Sequence, residues 1–118
     1  MRSLAVRTAA LSLTVLLVTG SFAFVRNDTA TNAIYTGGPI LTRLDVDATW
    51  NNVGANGQLK TYKPATAHGG HAIALVGYTK THFIVRNSWG TDWADGGFAY
   101  ATNAYAFAAF TEAYGVTV

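Results

Sequence analysis

Cysteine is absent from the 118-residue sequence, and charged residues make up only 12% of it. Without cysteine the chain cannot form a disulfide, bind a metal through a thiolate or use a thiol as a nucleophile. The formal net charge is +2, and the eight basic residues are scattered from Arg2 to Arg86. Because nucleic-acid-binding domains normally carry a basic patch or stripe, we expect no nucleic-acid partner.

Half of the residues are hydrophobic, which is typical of a folded globular domain and not of a disordered chain. The length is sufficient for one small domain. The chain therefore has enough apolar material for one core.

The N-terminus resembles a secretory signal. Arg2 and Arg7 supply positive charge, residues 9–18 are uncharged and mostly apolar, and Ser21-Phe22-Ala23 has the small-large-small pattern of a signal-peptidase site. The apolar run is shorter than the ~20 residues of a membrane-spanning helix. We predict a signal peptide over residues 1–23, a linker over 24–33, and a secreted or lysosome-like location. An uncleaved anchor, a core helix and an arbitrary start in a truncated gene are the alternatives.

The remaining sequence is dominated by β-strand patterns. Residues 40–46 alternate in polarity, as a half-buried strand does, and apolar runs at 71–78 and 82–87 predict a hairpin. Further strands are predicted at 97–102 and 111–118, with a helical turn or connector between them. The polar segment 48–69 predicts a long surface loop with one helical turn near its start and with Trp50 and Tyr62 as anchors. The predicted fold class is mainly β: an antiparallel, barrel-like or open sheet with short helices.

Two polar residues flank the predicted hairpin at the same end. His71 opens its first strand and Asn87 closes its second. Either residue alone is usually structural, but a hairpin brings the two side chains together. There the amide oxygen could accept a hydrogen bond from the imidazole N–H and fix the tautomer and orientation of the ring, as the orienting member of a catalytic triad does. Trp89 could shield that hydrogen bond from water.

The order of short blocks in the C-terminal part resembles the papain-like cysteine peptidases. Those blocks are Gly38-Pro39-Ile40, Gly70-His71-Ala72, Val76-Gly77-Tyr78, Arg86-Asn87-Ser88-Trp89-Gly90, Trp93 and Gly97-Phe98. The resemblance covers residues 34–118 and implies the right-hand, C-terminal domain of that family. It implies His71 as general base, Asn87 as its orienting residue and Trp89 as their shield, with peptide or protein substrates and no cofactor.

The resemblance also assigns three residues to the pocket for the second substrate residue before the cleaved bond. These are Arg43, Gly70 and Ala72. An arginine in the pocket wall would favour an acidic or polar substrate side chain through a charge-assisted hydrogen bond. Alternatively, Arg43 is simply part of the solvent face of its strand.

The departures from the family concern the nucleophile. Family members place a cysteine ~130 residues or more before the histidine, whereas 70 residues precede His71 and none is cysteine. The helical left-hand domain is therefore expected to be missing, and Ala94 stands where the family prefers glycine. Ser88 is a poor substitute nucleophile because it belongs to the Asn-Ser-Trp-Gly block itself, and His68 with His71 lacks a third metal ligand.

These departures predict a peptidase fragment that is inactive alone. A separate Cys-bearing helical domain is one conceivable partner, and self-association through the uncovered half-cleft is another. The alternative function is a non-catalytic module that binds peptides or proteins.

Overall fold

The computed structural model describes residues 3–8, 14–18 and 30–117 of the chain. Within these ranges it contains eight strands, three short α-helices and a 3₁₀ helix at Pro64–Thr66. The strands are β1 (Ser3–Thr8), β2 (Thr14–Val18), β3 (Ile40–Asp45), β4 (Gln58–Leu59), β5 (Gly70–Tyr78), β6 (His82–Arg86), β7 (Phe98–Thr102) and β8 (Phe110–Thr117). The helices are α1 (Thr31–Gly37), α2 (Ala48–Asn51) and α3 (Asn103–Ala109).

The strands form one open sheet in the order β1-β2-β8-β3-β5-β6-β7-β4. Neighbouring strands are antiparallel, except that β4 runs parallel to β7. The predicted fold class, a mainly β structure with an open antiparallel sheet and short helices, is confirmed.

Side-chain alternation places the core on one face of the sheet. In β3, Ile40, Thr42 and Leu44 are buried while the intervening residues are more exposed. In β5, Ile73 and Leu75 are buried in the same way. A strand with period-2 alternation buries one face and leaves the other available. The available face carries the groove described below, whereas His71 lies on the buried face, at the start of β5.

The predicted hairpin is formed by β5 and β6. Its antiparallel register pairs Ala74 with Arg86 and Tyr78 with Phe83, with a bulge between Leu75 and Gly77. The chain reverses where the backbone nitrogen of Thr79 donates to the carbonyl of His82. The start of β5 consequently lies beside the residues that follow β6.

The segment 48–69 is more ordered than the predicted surface loop. The helical turn near its start is present as α2, but Trp50 and Leu59 are fully buried. Leu59 lies in β4, which adds a short parallel edge beside β7. Trp50 is one of the anchors predicted from the sequence, whereas the polar composition of the segment concealed Leu59. Burial of these two large side chains holds the segment against the core.

The N-terminal predictions fall mostly outside the described residues. The cleavage position after Ala23 and residues 24–29 of the predicted linker lie there, while β1 and β2 fall within residues 1–23. Residues 31–33 of the predicted linker belong to α1. No helix in the described part of the chain is long and apolar enough to cross a membrane.

Candidate active site

His71 and Asn87 meet at one end of the hairpin. The imidazole Nε2 of His71 lies 2.8 Å from Oδ1 of Asn87. His71 is the second residue of β5, and Asn87 directly follows β6, where its backbone nitrogen donates to the carbonyl of Gly97. The contact predicted from the hairpin is therefore present, and it joins residues 16 positions apart.

The hydrogen-bond pattern around Asn87 determines which way each group points. Its Oδ1 also accepts from the backbone nitrogen of Ser88 at 2.8 Å, which identifies this atom as the oxygen. An oxygen that only accepts requires a proton on His71 Nε2. In the neutral ring Nδ1 is then the basic nitrogen, and it has no hydrogen-bond partner among the described residues. The amide Nδ2 of the buried Asn87 likewise has no partner within that part of the chain.

The three tryptophans of the sequence contact one another, and we call Trp50, Trp89 and Trp93 the tryptophan cluster. Two of them contact the imidazole of His71. Trp89 stacks on the His71 ring with centroids 5.2 Å apart and an interplanar angle of 28°. Trp50 meets the same ring in a T-shaped contact at 6.0 Å. Trp93 stacks on Trp50 at 5.2 Å. The predicted cover by Trp89 is present, although 41% of Trp89 remains exposed.

A buried polar chain lies behind the cluster. The indole nitrogen of Trp50 donates to the hydroxyl of Tyr105 at 2.8 Å, and that hydroxyl donates to Oδ1 of Asp47 at 2.7 Å. Burial and the Asp47 carboxylate raise the pKa of Tyr105, so the phenol stays protonated. Tyr105 lies 55 positions from Trp50 and 58 positions from Asp47, so no local sequence pattern links these residues. Nothing in the sequence therefore indicated Asp47 or Tyr105 as part of the site.

A groove of about 420 Å³ opens beside His71 on the outer face of the sheet. All three predicted pocket residues, Arg43, Gly70 and Ala72, line it together with His71. The structure adds Leu41, Thr42, Glu112 and Tyr114 to the lining. Strand β8 contributes the last two because it pairs with β3, with Arg43 opposite Glu112, and sequence alone did not reveal that pairing.

The guanidinium of Arg43 is already engaged. It lies 3.0 Å from Oδ1 of Asp45 and 3.4 Å from the hydroxyl of Thr111. A Cβ atom on Gly70 would lie only 2.7 Å from Nη2 of Arg43, so glycine at this position leaves room for the guanidinium. The positive charge in the groove is thus partly balanced by a carboxylate of its own strand.

His68 does not join the site through its side chain. Its Nδ1 lies 3.1 Å from the carbonyl of Thr66, in the exposed segment before β5. No cluster of three or more metal-ligating side chains occurs within residues 3–8, 14–18 and 30–117.

Comparisons with known proteins show relatives of this sequence and of this fold. A cathepsin B-like protein, CP3 of Giardia intestinalis, is 34% identical over 71 residues, covering 56% of this chain and 23% of CP3. The fold is similar to that of xylellain, a cysteine protease from Xylella fastidiosa, with a TM-score of 0.63 and 24% identity over 73% of this chain and 34% of xylellain. It is also similar to the cysteine protease CMS1MS2 of Carica candamarcensis, solved in complex with E-64. There the TM-score is 0.64, with 20% identity over 87% of this chain and 47% of that protein.

This chain thus spans less than half the length of each of these relatives. The family model for papain family cysteine proteases matches residues 11–114, which is most of the chain. The protein belongs to the papain family of cysteine proteases.

Proposed function

We propose that this chain carries the proton-transfer half of a peptidase active site. His71 is the general base, Asn87 orients it and Trp89 shields their hydrogen bond. The observation that carries the proposal is the 2.8 Å contact between Nε2 of His71 and Oδ1 of Asn87, covered by the stacked indole. That contact keeps the proton on Nε2 and leaves the basic lone pair on Nδ1, which is the nitrogen free to act on a nucleophile.

The proposed reaction is hydrolysis of a peptide bond. Nδ1 of His71 takes the proton of a thiol, and the thiolate attacks the peptide carbonyl to form an acyl-enzyme. The imidazolium then protonates the leaving amine, and water hydrolyses the thioester with the same histidine as base. Because these 118 residues contain no cysteine, the thiol must come from elsewhere, and the chain alone is inactive in this reaction.

The groove beside His71 is the proposed site for a substrate side chain. It adjoins the base directly, and Gly70 and Ala72 leave space on either side of His71 along β5. Leu41 is half exposed and gives the groove an apolar wall. A substrate side chain held here would place its backbone near Nδ1 of His71, as a positioned reaction requires.

Reconstitution with a Cys-bearing left-hand domain tests the proposal. Residues 30–118 would be fused to that domain from a papain-family relative, and hydrolysis of fluorogenic peptides would be measured with an irreversible thiol-directed inhibitor as control. We expect inhibitor-sensitive hydrolysis in the fusion and none from the chain alone. His71→Ala should lower the rate by roughly 10²–10⁴-fold, the range for loss of general acid–base catalysis. Hydrolysis that is insensitive to the inhibitor but lost in His71→Ala would contradict the proposed mechanism.

A second candidate is a non-catalytic binding module. The open groove beside His71 and the partial exposure of Trp89, in a sequence without cysteine, favour it. The module would bind peptides with the chain alone and quench or shift the tryptophan fluorescence. This function would be excluded if no peptide in a library produced a saturable change in the fluorescence of the wild type and if the wild type responded to peptides no differently from Ala72→Trp.

We propose that the protein enters a secretory pathway, from the pattern of residues 1–23. Mass spectrometry of secreted protein is expected to give Phe24 as the first residue. Recovery of secreted protein that begins at Met1 or Arg2 would reject the predicted cleavage.

A further inference from the structure

We infer that Tyr105 and Asp47 are positioning residues that act on His71 through Trp50. This inference rests on the proposed function, in which the orientation of the His71 ring matters. One hydrogen bond at Nε2 fixes one point of the imidazole and leaves rotation of the ring about that bond unrestrained. The orientation of its plane must therefore come from the aromatic rings packed against it.

Asp47 anchors the buried chain. It is fully buried, and it accepts from the hydroxyls of Tyr105 and Thr49 and from the backbone nitrogen of Lys63. The three bonds are 2.7, 2.8 and 2.6 Å long. A carboxylate with donors on both oxygens is held in one rotamer, and charge-assisted bonds of this kind are about twice as strong as neutral ones.

Tyr105 transmits the position of Asp47 to Trp50. Its hydroxyl has a single proton, which is given to Asp47, so only a lone pair remains for the indole nitrogen. Tyr105 itself is fully buried, and its backbone nitrogen donates to the hydroxyl of Thr102 at the start of α3. Both ends of the tyrosine are thus fixed, and the direction of the hydrogen bond to Trp50 is fixed with them.

Trp50 presents a rigid surface to the site. Its indole is tied at Nε1, and its carbonyl accepts from Nε1 of Trp93 at 2.8 Å, while the two rings stack. The same indole meets His71 at 90° and Trp89 at 71°, with centroids 6.0 Å away in each case. The imidazole therefore lies between a stacked Trp89 and an upright Trp50, and rotation of Trp50 would release both contacts.

Tyr105→Phe in the full 118-residue chain tests the inference, because it keeps the ring and removes only the hydroxyl. Nuclear magnetic resonance would follow the Trp50 indole proton and the His71 ring nuclei. We expect the indole proton to exchange with solvent about tenfold faster, as loss of one buried hydrogen bond predicts. We also expect the His71 ring shifts to move and its Nε2-protonated tautomer to fall in population.

Tyr62→Phe is the matched control. Its hydroxyl donates to the backbone carbonyl of Asp45, and its ring packs against Tyr105, but no hydrogen bond joins it to Trp50. The control removes one tyrosine hydroxyl from the same neighbourhood and should leave the His71 spectrum unchanged. Equal spectra for His71 in the wild type and in folded Tyr105→Phe would overturn the inference.

Two further observations keep the test decisive. If Tyr105→Phe does not fold, the wild-type chain must still show a solvent-protected Trp50 indole proton and magnetisation transfer between Trp50 and His71, and their absence would refute the inference. Because these readouts need no activity, they fail independently of the proposed function. Inactivity of the reconstituted peptidase, with the spectral coupling intact, would count against the function alone.

Discussion

A single oxygen of Asn87 holds two donors: its Oδ1 lies 2.8 Å from Nε2 of His71 and 2.8 Å from the backbone nitrogen of Ser88. The second bond locks the carboxamide so that its oxygen, and not its nitrogen, faces the imidazole. The preference for one tautomer of His71 is therefore set by a backbone group that follows β6.

Asn87→Ala is expected to release that tautomer. The neutral His71 ring should become a mixture of its two forms, detectable in the ¹⁵N shifts of the imidazole. In the reconstituted enzyme kcat/KM should fall by about tenfold or more, because part of the population carries its proton on the wrong nitrogen. Ser88→Ala serves as the control, since the bond to Asn87 uses only the backbone of Ser88. An unchanged tautomer ratio in Asn87→Ala would contradict the assigned role.

Selectivity in the groove should depend on Asp45 as well as on Arg43. The carboxylate of Asp45 already pairs with the guanidinium, and both side chains are nearly half exposed to solvent, so the preference for an acidic substrate residue should be small. Asp45→Asn frees the guanidinium and should increase the ratio of kcat/KM for Glu over Gln at this position. Arg43→Ala should remove the preference in either background. The kcat/KM values of the reconstituted enzyme for matched Glu and Gln peptides measure the effects of both substitutions. An apolar preference unaffected by Arg43→Ala would show that Arg43 only faces solvent.

Asp47→Ala should destabilise the fold strongly. The change leaves the buried hydroxyl of Tyr105 and a partly buried backbone donor, that of Lys63, without their acceptor, for an expected loss of about 3 kcal/mol in the free energy of unfolding. Asp45→Ala, which removes an exposed carboxylate two residues away, should cost under ~1 kcal/mol. Urea denaturation followed by tryptophan fluorescence compares the two. Similar losses for both variants would mean that Asp47 is not the buried anchor described above.

Stability at alkaline pH should depend on Tyr105. Its pKa is raised in the folded protein by burial and by Asp47, so above pH 10.0 the unfolded chain loses this proton first. The contribution of Tyr105 to the free energy of unfolding is therefore complete below pH 10.0. It is lost as the pH rises further, at up to about 1.4 kcal/mol per pH unit. Tyr105→Phe should unfold at a lower denaturant concentration at neutral pH, yet with a shallower pH dependence above 10.0. A parallel alkaline dependence for both proteins would argue against a buried, protonated phenol.

Replacement of glycine by alanine should change the free energy of unfolding more at Gly57 than at Gly69. Gly57 has a φ of +70°, and a Cβ there would lie 3.0 Å from the carbonyl oxygen of Phe98. Gly57→Ala should therefore cost about 1–3 kcal/mol, since the backbone of β7 cannot yield as a side chain does. Gly69 has open space around it, and Gly69→Ala should stay within about 0.5 kcal/mol. Thermal unfolding of both variants measures the difference. Equal melting temperatures would show that the position before β4 tolerates the added methyl group.

Local sequence patterns predicted the part of the site that a single hairpin builds. The apolar runs of β5 and β6 were sufficient to pair these two strands, and their pairing brings His71 to Asn87. Strand periodicity repeats every two residues and is visible in a short window, so this inference needed no distant information. The resemblance then assigned roles and pocket residues that periodicity alone does not reveal.

The sequence by itself determined the absence of a thiol, the hairpin and the order of the family's blocks. Only the tertiary structure decided which residues lie behind His71 and which line the groove beside it. Asp47 and Trp50 lie at the start of α2 and within it, whereas Tyr105 comes from α3. Glu112 reaches the groove because β8 pairs with β3. Contacts between residues 55 to 68 positions apart arise from the packing of the whole sheet and helices, and no local pattern encodes them.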